Sequence, residues 1–180
     1  MTLESDFAAL IIFVGLPGTG KTTLARLLAK ELAATYLRID TIEQALRNSG
    51  RLAGPVEDAG YRVAYTVAAD NLRLGRSVVA DSVNPLQITR DAWRAVVDGT
   101  GAKAIEIEVV CSDTAEHRQR VESRRPDIPG LSLPTWLEVS SREYQPWDRP
   151  HIVVDTAHAS VDEAFYTLKS KISQLIHETI

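Results

Sequence analysis

One cysteine and one methionine in 180 residues leave this chain little sulfur chemistry. A lone Cys111 excludes an intrachain disulfide and fits a reducing compartment. Its flanks, Val109-Val110 and Ser112-Asp113, read as a strand end and predict a buried, inert thiol. Histidine is scarce too, and His151 and His158 stand at no metal-ligand spacing from other His or Cys. No uncharged apolar stretch is long enough to cross a bilayer. Met1–Asp6 carries acids and no positively charged n-region, so it does not read as a signal peptide, and the expectation is a soluble, cytoplasmic protein. The net charge of −4 argues against a dedicated nucleic-acid surface, while leaving room for a local basic stripe. Internal repeats and low-complexity tracts are lacking as well.

What is present is an octet, Gly15-Leu16-Pro17-Gly18-Thr19-Gly20-Lys21-Thr22, which fits G-x-x-x-x-G-K-[ST]. The apolar run Ala8–Val14 before it has the length and β-branched character of a buried parallel strand. Leu24, Leu27, Leu28 and Leu32 after it recur at helical spacing. Glycines let backbone N–H groups converge on phosphate oxygens, and the helix start near Lys21 adds its positive dipole end. In such a loop Lys21 bridges the β- and γ-phosphates, the Thr22 hydroxyl ligates Mg²⁺, and Thr23 is a further phosphate donor. The octet predicts binding of a nucleoside triphosphate, with Gly15, Pro17, Gly18, Thr19, Gly20, Lys21, Thr22 and Thr23 around it.

Strand and helix patterns alternate along the chain, which predicts one α/β domain over 1–180 with a five-stranded parallel sheet covered by helices on both faces. After the first strand, the expected strands are Tyr36–Ile39 ending at Asp40, Ser77–Ala80 ending at Asp81, Ala104–Val110, and His151–Asp155. Helices are expected near 41–48, 56–74 and 86–98. Another starts at the capping-box sequence Asp113-Thr114-Ala115-Glu116 and runs into a Pro-rich loop. Pro134 is a plausible first residue of a helix reaching about Tyr144. A second capping box, Ser160–Glu163, opens a final helix whose stripe would bury Val161, Ala164, Phe165, Leu168, Ile172, Leu175 and Ile176.

These features together resemble the P-loop kinases, most closely the compact AAA-type group of gluconate kinase, chloramphenicol phosphotransferase, zeta-toxin-like kinases and the polynucleotide 5′-kinase domain. The resemblance rests on Gly15–Thr23, on Asp40 and Asp81 at strand ends, on the Arg120/Arg124 helix before the Pro-rich loop, and on Asp155-Thr156. It implies a three-layer P-loop NTPase fold with a helical lid around 113–146, and ATP with Mg²⁺ as cofactors.

Strand carboxyl ends face the ligand in open parallel sheets, so Asp40 should face the phosphates. In the resembled families an acid there takes the acceptor hydroxyl's proton; alternatively Asp40-Thr41-Ile42-Glu43 is a capping box and Asp40 only caps a helix. Asp81 stands as a Mg²⁺-holding acid or, as in some relatives, an acceptor contact, with Asn84 a further acceptor contact. Arg120 and Arg124 share a helix face, and in such kinases lid arginines stabilise charge on the transferred group; the alternative is a solvated face paired with Glu116 and Glu122. Trp136 and Trp147 read as packing residues, with a pocket wall as the other use. The loop around Thr156-Ala157-His158 resembles the adenine-contacting loop of such kinases.

The expected function is ATP-dependent transfer of the γ-phosphoryl to a hydroxyl of a small molecule or nucleotide, with no membrane partner. Polynucleotide 5′-hydroxyl kinase is the specific alternative, disfavoured because Glu43 stands where that family carries arginine. A nucleotide hydrolase or nucleotide-binding regulatory module is the alternative of another class. A small GTPase would carry an NKxD-type motif, which is missing.

Overall fold

The computed structural model describes residues 8–51 and 54–178; Met1–Asp6, read above as lacking a signal peptide, lie outside them. The order of elements is β1 (Ala9–Val14), α1 (Lys21–Glu31), β2 (Thr35–Arg38), α2 (Ile39–Asn48), α3 (Ala59–Arg73) and β3 (Val78–Asp81). Then come α4 (Gln87–Ala95), β4 (Lys103–Val110), α5 (Thr114–Ser123), α6 (Trp136–Ser140), β5 (Ile152–Asp155) and α7 (Val161–Glu178). The strands form one parallel sheet in the order β2-β3-β1-β4-β5. The three-layer α/β fold expected from the sequence is the one observed.

β1 is central and all six of its residues are buried. Because alternate side chains leave opposite faces of a strand, it feeds two cores. Ala9, Ile11 and Phe13 pack with Leu24, Leu28, Leu168 and Ile172 under α1 and α7. Leu10, Ile12 and Val14 pack with Ile39, Ala64, Ala68, Leu72 and Trp93 on the other face. The connection order moves from β1 outward to β2, returns to β3, then crosses β1 to reach β4. That reversal opens a crevice beyond the strand carboxyl ends, where ligands bind in sheets of this kind.

Several local expectations need correction. Asp40 does not end a strand: β2 stops at Arg38, which is the N-cap of α2, and Asp40 lies in that helix's first turn. α4 closes at Ala95 rather than near 98. Thr135, not Pro134, starts α6 through a capping box with Glu138, and α6 ends at Ser140 after five residues. In α7, Ala164, Leu168 and Ile172 are buried, but Val161 and Leu175 are exposed at 49% and 39%. An 18-residue helix is about 27 Å long, whereas four-residue β5 spans about 13 Å. The helix is thus longer than β5, the strand it packs on, although Phe165 and Ile176 still pack against the core. The boxes at Asp113 and Ser160 do cap their helices, with Glu116 N donating to Asp113 (2.8 Å) and Glu163 N to Ser160 (3.3 Å). Cys111 is buried, and burial pushes its thiol pKa up, as expected of an inert cysteine.

Candidate functional site

The octet forms the turn between β1 and α1. Gly15 (φ +150°) and Gly18 (φ +89°) hold conformations that L side chains rarely adopt. Space forbids a side chain there as well: a Cβ at Gly15 would lie 2.3 Å from the Val109 carbonyl oxygen, and one at Gly18 2.6 Å from Val121 Cγ2. The loop is tied down from outside itself. Gly15 N donates to Val83 O (3.2 Å), Thr156 Oγ1 donates to Thr19 O (2.9 Å), and His117 Nε2 lies 2.8 Å from Pro17 O. Helix α1 begins with Gly20 as N-cap, without a side-chain cap and without an acid in its first turn. Its leading N–H groups and dipole are therefore left for an external anion.

Beneath the loop, Lys21 is buried in an ion pair with Asp81. Asp81 has a fully buried side chain, accepts from Tyr36 Oη (2.6 Å), lies 4.0 Å from Arg38 Nε, and has the Thr22 hydroxyl close enough to favour its ionised form. Burial alone would raise its pKa; the Lys21 ammonium and these donors overcome that and hold it below the usual carboxylate value. Burial, then the Asp81 charge, pushes the Tyr36 phenol the other way.

A cavity of about 740 Å³ opens above this floor, a size suited to a small-molecule site. Leu16, Pro17, Gly18 and Gly20 of the loop line it with Lys21, Thr22, Thr23, Asp40, Arg120 and Arg124, whereas Gly15 and the buried Thr19, whose hydroxyl donates to Leu16 O, do not. Eight of its lining residues are Lys or Arg and four are Asp or Glu, a surplus of four positive charges in a chain of net charge −4. The local basic region that the composition allowed is this cavity.

Asp40 projects into it with its side chain 41% exposed, 3.3 Å from Arg38 Nη2. It makes no cap: the N-cap position belongs to Arg38, and Glu43 pairs with Arg47 (2.9 Å) instead. Arg120 holds Thr156 Oγ1 and O (2.8 Å each) and Glu116 Oε1 (2.6 Å). It thus braces the Thr156 turn that anchors Thr19. Arg124, at the C-cap of α5, reaches the cavity without a side-chain hydrogen bond or ion pair among the described residues. Arg118 is exposed and pairs with Glu122.

Asn84 is not brought to the cavity. It is fully buried with φ +48°, its backbone carbonyl accepts from Arg90 Nε, and its side-chain amide lacks a partner among the described residues. Trp136 and Trp147 stay off the cavity wall also. Trp136 packs edge-on to His117, while Trp147 stacks on His151 beneath the Arg90 guanidinium. Among the described residues there is no cluster of three or more His, Cys, Asp or Glu suited to a metal.

Three further residues were not singled out from the sequence. Arg38 Nη1 and Arg26 Nη2 each donate to Asp127 Oδ2 at 2.7 Å, tying the Pro-rich loop after α5 to α1 and to the end of β2. Arg38 did carry a signal, since it is a basic residue at the carboxyl end of a strand, where ligands sit in open parallel sheets. The Asp127 contact spans about half the chain, and nothing local announces it.

A family model described as an AAA domain matches residues 10–131. An uncharacterized protein of Mycobacterium tuberculosis is 27% identical over 186 residues, covering 94% of this chain and 36% of that protein. The chain thus spans about a third of the length of the first curated relatives it matches. The adenylyl-sulfate kinase of Staphylococcus epidermidis is 27% identical over 170 residues, covering 87% of this chain and 80% of that enzyme. In fold, the structure of a gluconokinase from Sinorhizobium meliloti superposes with a TM-score of 0.62 at 17% identity, covering 98% of this chain and all of that one.

Proposed function

The chain belongs to the AAA domain family matched over residues 10–131, and from that premise we propose that it is an ATP-dependent kinase transferring the γ-phosphoryl to a hydroxyl group of a small molecule or nucleotide. One observation carries this reading: the phosphate loop after β1 and the Asp40 carboxylate in the first turn of α2 line the same cavity. A bare nucleotide switch needs no second acid beside its phosphate loop. The adenylyl-sulfate kinase similarity supports the same reaction class.

In this proposal the triphosphate lies on the loop N–H groups and the start of α1. Lys21 leaves Asp81 for the β- and γ-phosphates. Asp81 and Thr22 lie together at the loop floor, and a carboxylate with a hydroxyl is the hard oxygen pair that would hold Mg²⁺ there. Mg²⁺ held by them would neutralise negative charge on the transferring phosphates. Asp40 orients the acceptor hydroxyl and receives its proton as the acceptor oxygen bonds to the γ-phosphorus and the bond to the β-phosphate oxygen breaks, leaving ADP. Arg124, whose side chain has no ion pair or hydrogen bond among the described residues, meets the charge spreading onto the transferred group. Segment 113–146 acts as the lid that carries it, and Arg120 holds the hinge side through Thr156.

The test is ATP turnover with and without a panel of sugars, aminoglycosides, nucleosides and 5′-hydroxyl oligonucleotides. ADP release should depend on an acceptor and fall about 10²- to 10⁴-fold in Asp40→Asn. Rapid acceptor-independent hydrolysis, unchanged in Asp40→Asn, overturns the kinase reading.

A further inference from the structure

Arg38 is a guanidinium almost wholly removed from water, with its side chain 2% exposed, yet it is poorly provided for. Its Nη1 bonds Asp127 at 2.7 Å and its Nη2 reaches Asp40 only at 3.3 Å; its buried Nε faces the Asp81 carboxylate at 4.0 Å, an ion-pair distance, and has no hydrogen-bond partner among the described residues. Buried guanidinium donors are ordinarily satisfied, and an oxyanion takes them in pairs. Arg26 converges on the same spot from α1, one turn beyond Thr22. Both arginines press on a single oxygen, Asp127 Oδ2. That carboxylate does not belong to the floor of the cavity. It reaches in from the Pro-rich loop, and its side chain is 38% exposed. The arrangement is a two-arginine anion site filled, incompletely, by a residue of the overlying segment.

The position of the site gives it meaning. Arg38 is paired with Asp40, so an anion held on this fork lies beside the proposed base. All four residues line the one cavity that holds the phosphate loop. We propose that the phosphoryl acceptor carries an anionic group, a carboxylate or a phosphate- or sulfate-type oxyanion, which displaces Asp127 from Arg26 and Arg38 and so places its hydroxyl at Asp40. This names the substrate class of the site described above and rests on the kinase reading. Asp127 is then the resident competitor: without acceptor it neutralises the fork and holds the loop down, and binding exchanges one oxyanion for another. Fork recognition by guanidinium suits planar carboxylates and tetrahedral oxyanions alike.

The site is tested without knowing the acceptor by filling the phosphate loop with MgADP and titrating inorganic sulfate. The readout is thermal stabilisation of wild type, Asp127→Ala and Asp127→Ala/Arg38→Gln, with Asp127→Asn as the second variant should the alanine protein not fold. Removing the competitor should lower the half-saturating sulfate concentration at least about tenfold, and adding Arg38→Gln should abolish the gain. Equal sulfate dependence in wild type and both Asp127 variants overturns the proposal. A second arm measures phosphate transfer to matched pairs of hydroxyl compounds with and without an acid group: sugars against their aldonic acids, and nucleosides against nucleoside 5′-monophosphates. Transfer should concentrate on the acidic members, with Arg38→Gln raising KM for the acceptor and leaving KM for ATP unchanged. Equal turnover of the neutral members overturns the acceptor assignment. Absence of transfer to every member, with the sulfate response intact, overturns the kinase reading instead.

Discussion

Lys21 and Asp81 form a buried ion pair that joins the first residue of α1 to the last of β3, with side chains 9% and 0% exposed. A pair this deep is held at a desolvation cost, and removing one member strands the other. Lys21→Ala should therefore destabilise the nucleotide-free protein by about 3–5 kcal/mol, before any question of nucleotide binding arises. Burial is the largest influence on Asp81 and favours its neutral form. Without Lys21 its folded pKa rises above the unfolded value, so the deficit is largest at neutral pH and shrinks as the pH falls and the carboxyl protonates. Lys21→Met/Asp81→Asn, which removes both charges and keeps an acceptor for Tyr36, should recover most of the loss. Thermal melts of the three proteins with and without MgATP check this: the nucleotide-induced shift should vanish in both variants, whereas the nucleotide-free deficit should appear in one. A double variant as unstable as Lys21→Ala would show that the pair is not what stabilises the loop floor.

Gly15 and Gly20 separate two reasons for glycine in one loop. Both have positive φ, +150° and +87°. A Cβ at Gly20 would meet nothing closer than Thr156 Cγ2 at 3.6 Å, which is ordinary contact. At Gly15 it would press on the Val109 carbonyl at 2.3 Å, a backbone atom of β4 that cannot move without shifting the strand. Gly20→Ala should cost about 1–2 kcal/mol from backbone conformation alone. Gly15→Ala should cost at least about 1 kcal/mol more from overpacking. Denaturant melts give both values, and equal losses would mean that β4 does not confine the loop.

The parallel sheet, its two-sided cores and the phosphate loop were legible because each is written locally. A seven-residue apolar run, an octet and a leucine stripe need no distant partner to be recognised. Asp40 and Arg38 show where that kind of reading stops. Asp40-Thr41-Ile42-Glu43 has the letters of a capping box, but β2 passes into α2 at Arg38, and the side chains of Asp40 and Glu43 turn to Arg38 and Arg47 instead of to the backbone. The exposure of Val161 and Leu175 in α7 is likewise invisible to periodicity, which reports a face but not how much of it is covered. The largest omission, the tie from Asp127 to Arg26 and Arg38, joins a loop to residues 101 and 89 positions away. Only the folded chain brings those charges together.

Asp127 also makes the loop sensitive to acid. The Arg38 hydrogen bond, more than any other influence, draws its carboxyl pKa down from 3.8 to about 2, with Arg26 adding to it. A folded pKa depressed below the unfolded value contributes stability that is complete above the unfolded value and disappears as pH falls through the folded one. The window is therefore pH 4 to 2, and acidification across it should release the Asp127 tie. Both Asp127 and Arg26 are substantially exposed, so salt should weaken the effect. Carbon-detected NMR of the Asp127 carboxyl should give a midpoint near 2 in the wild type, shifted upward in Arg38→Gln and less so in Arg26→Gln. Amide protection of Leu131, whose N–H bonds Ile128 O at 3.1 Å within the same loop, should fall over the same pH range in wild type and be low throughout in Asp127→Asn. A wild-type midpoint near 4, or a loop equally protected in Asp127→Asn, would mean that the two arginines do not hold this carboxylate in solution.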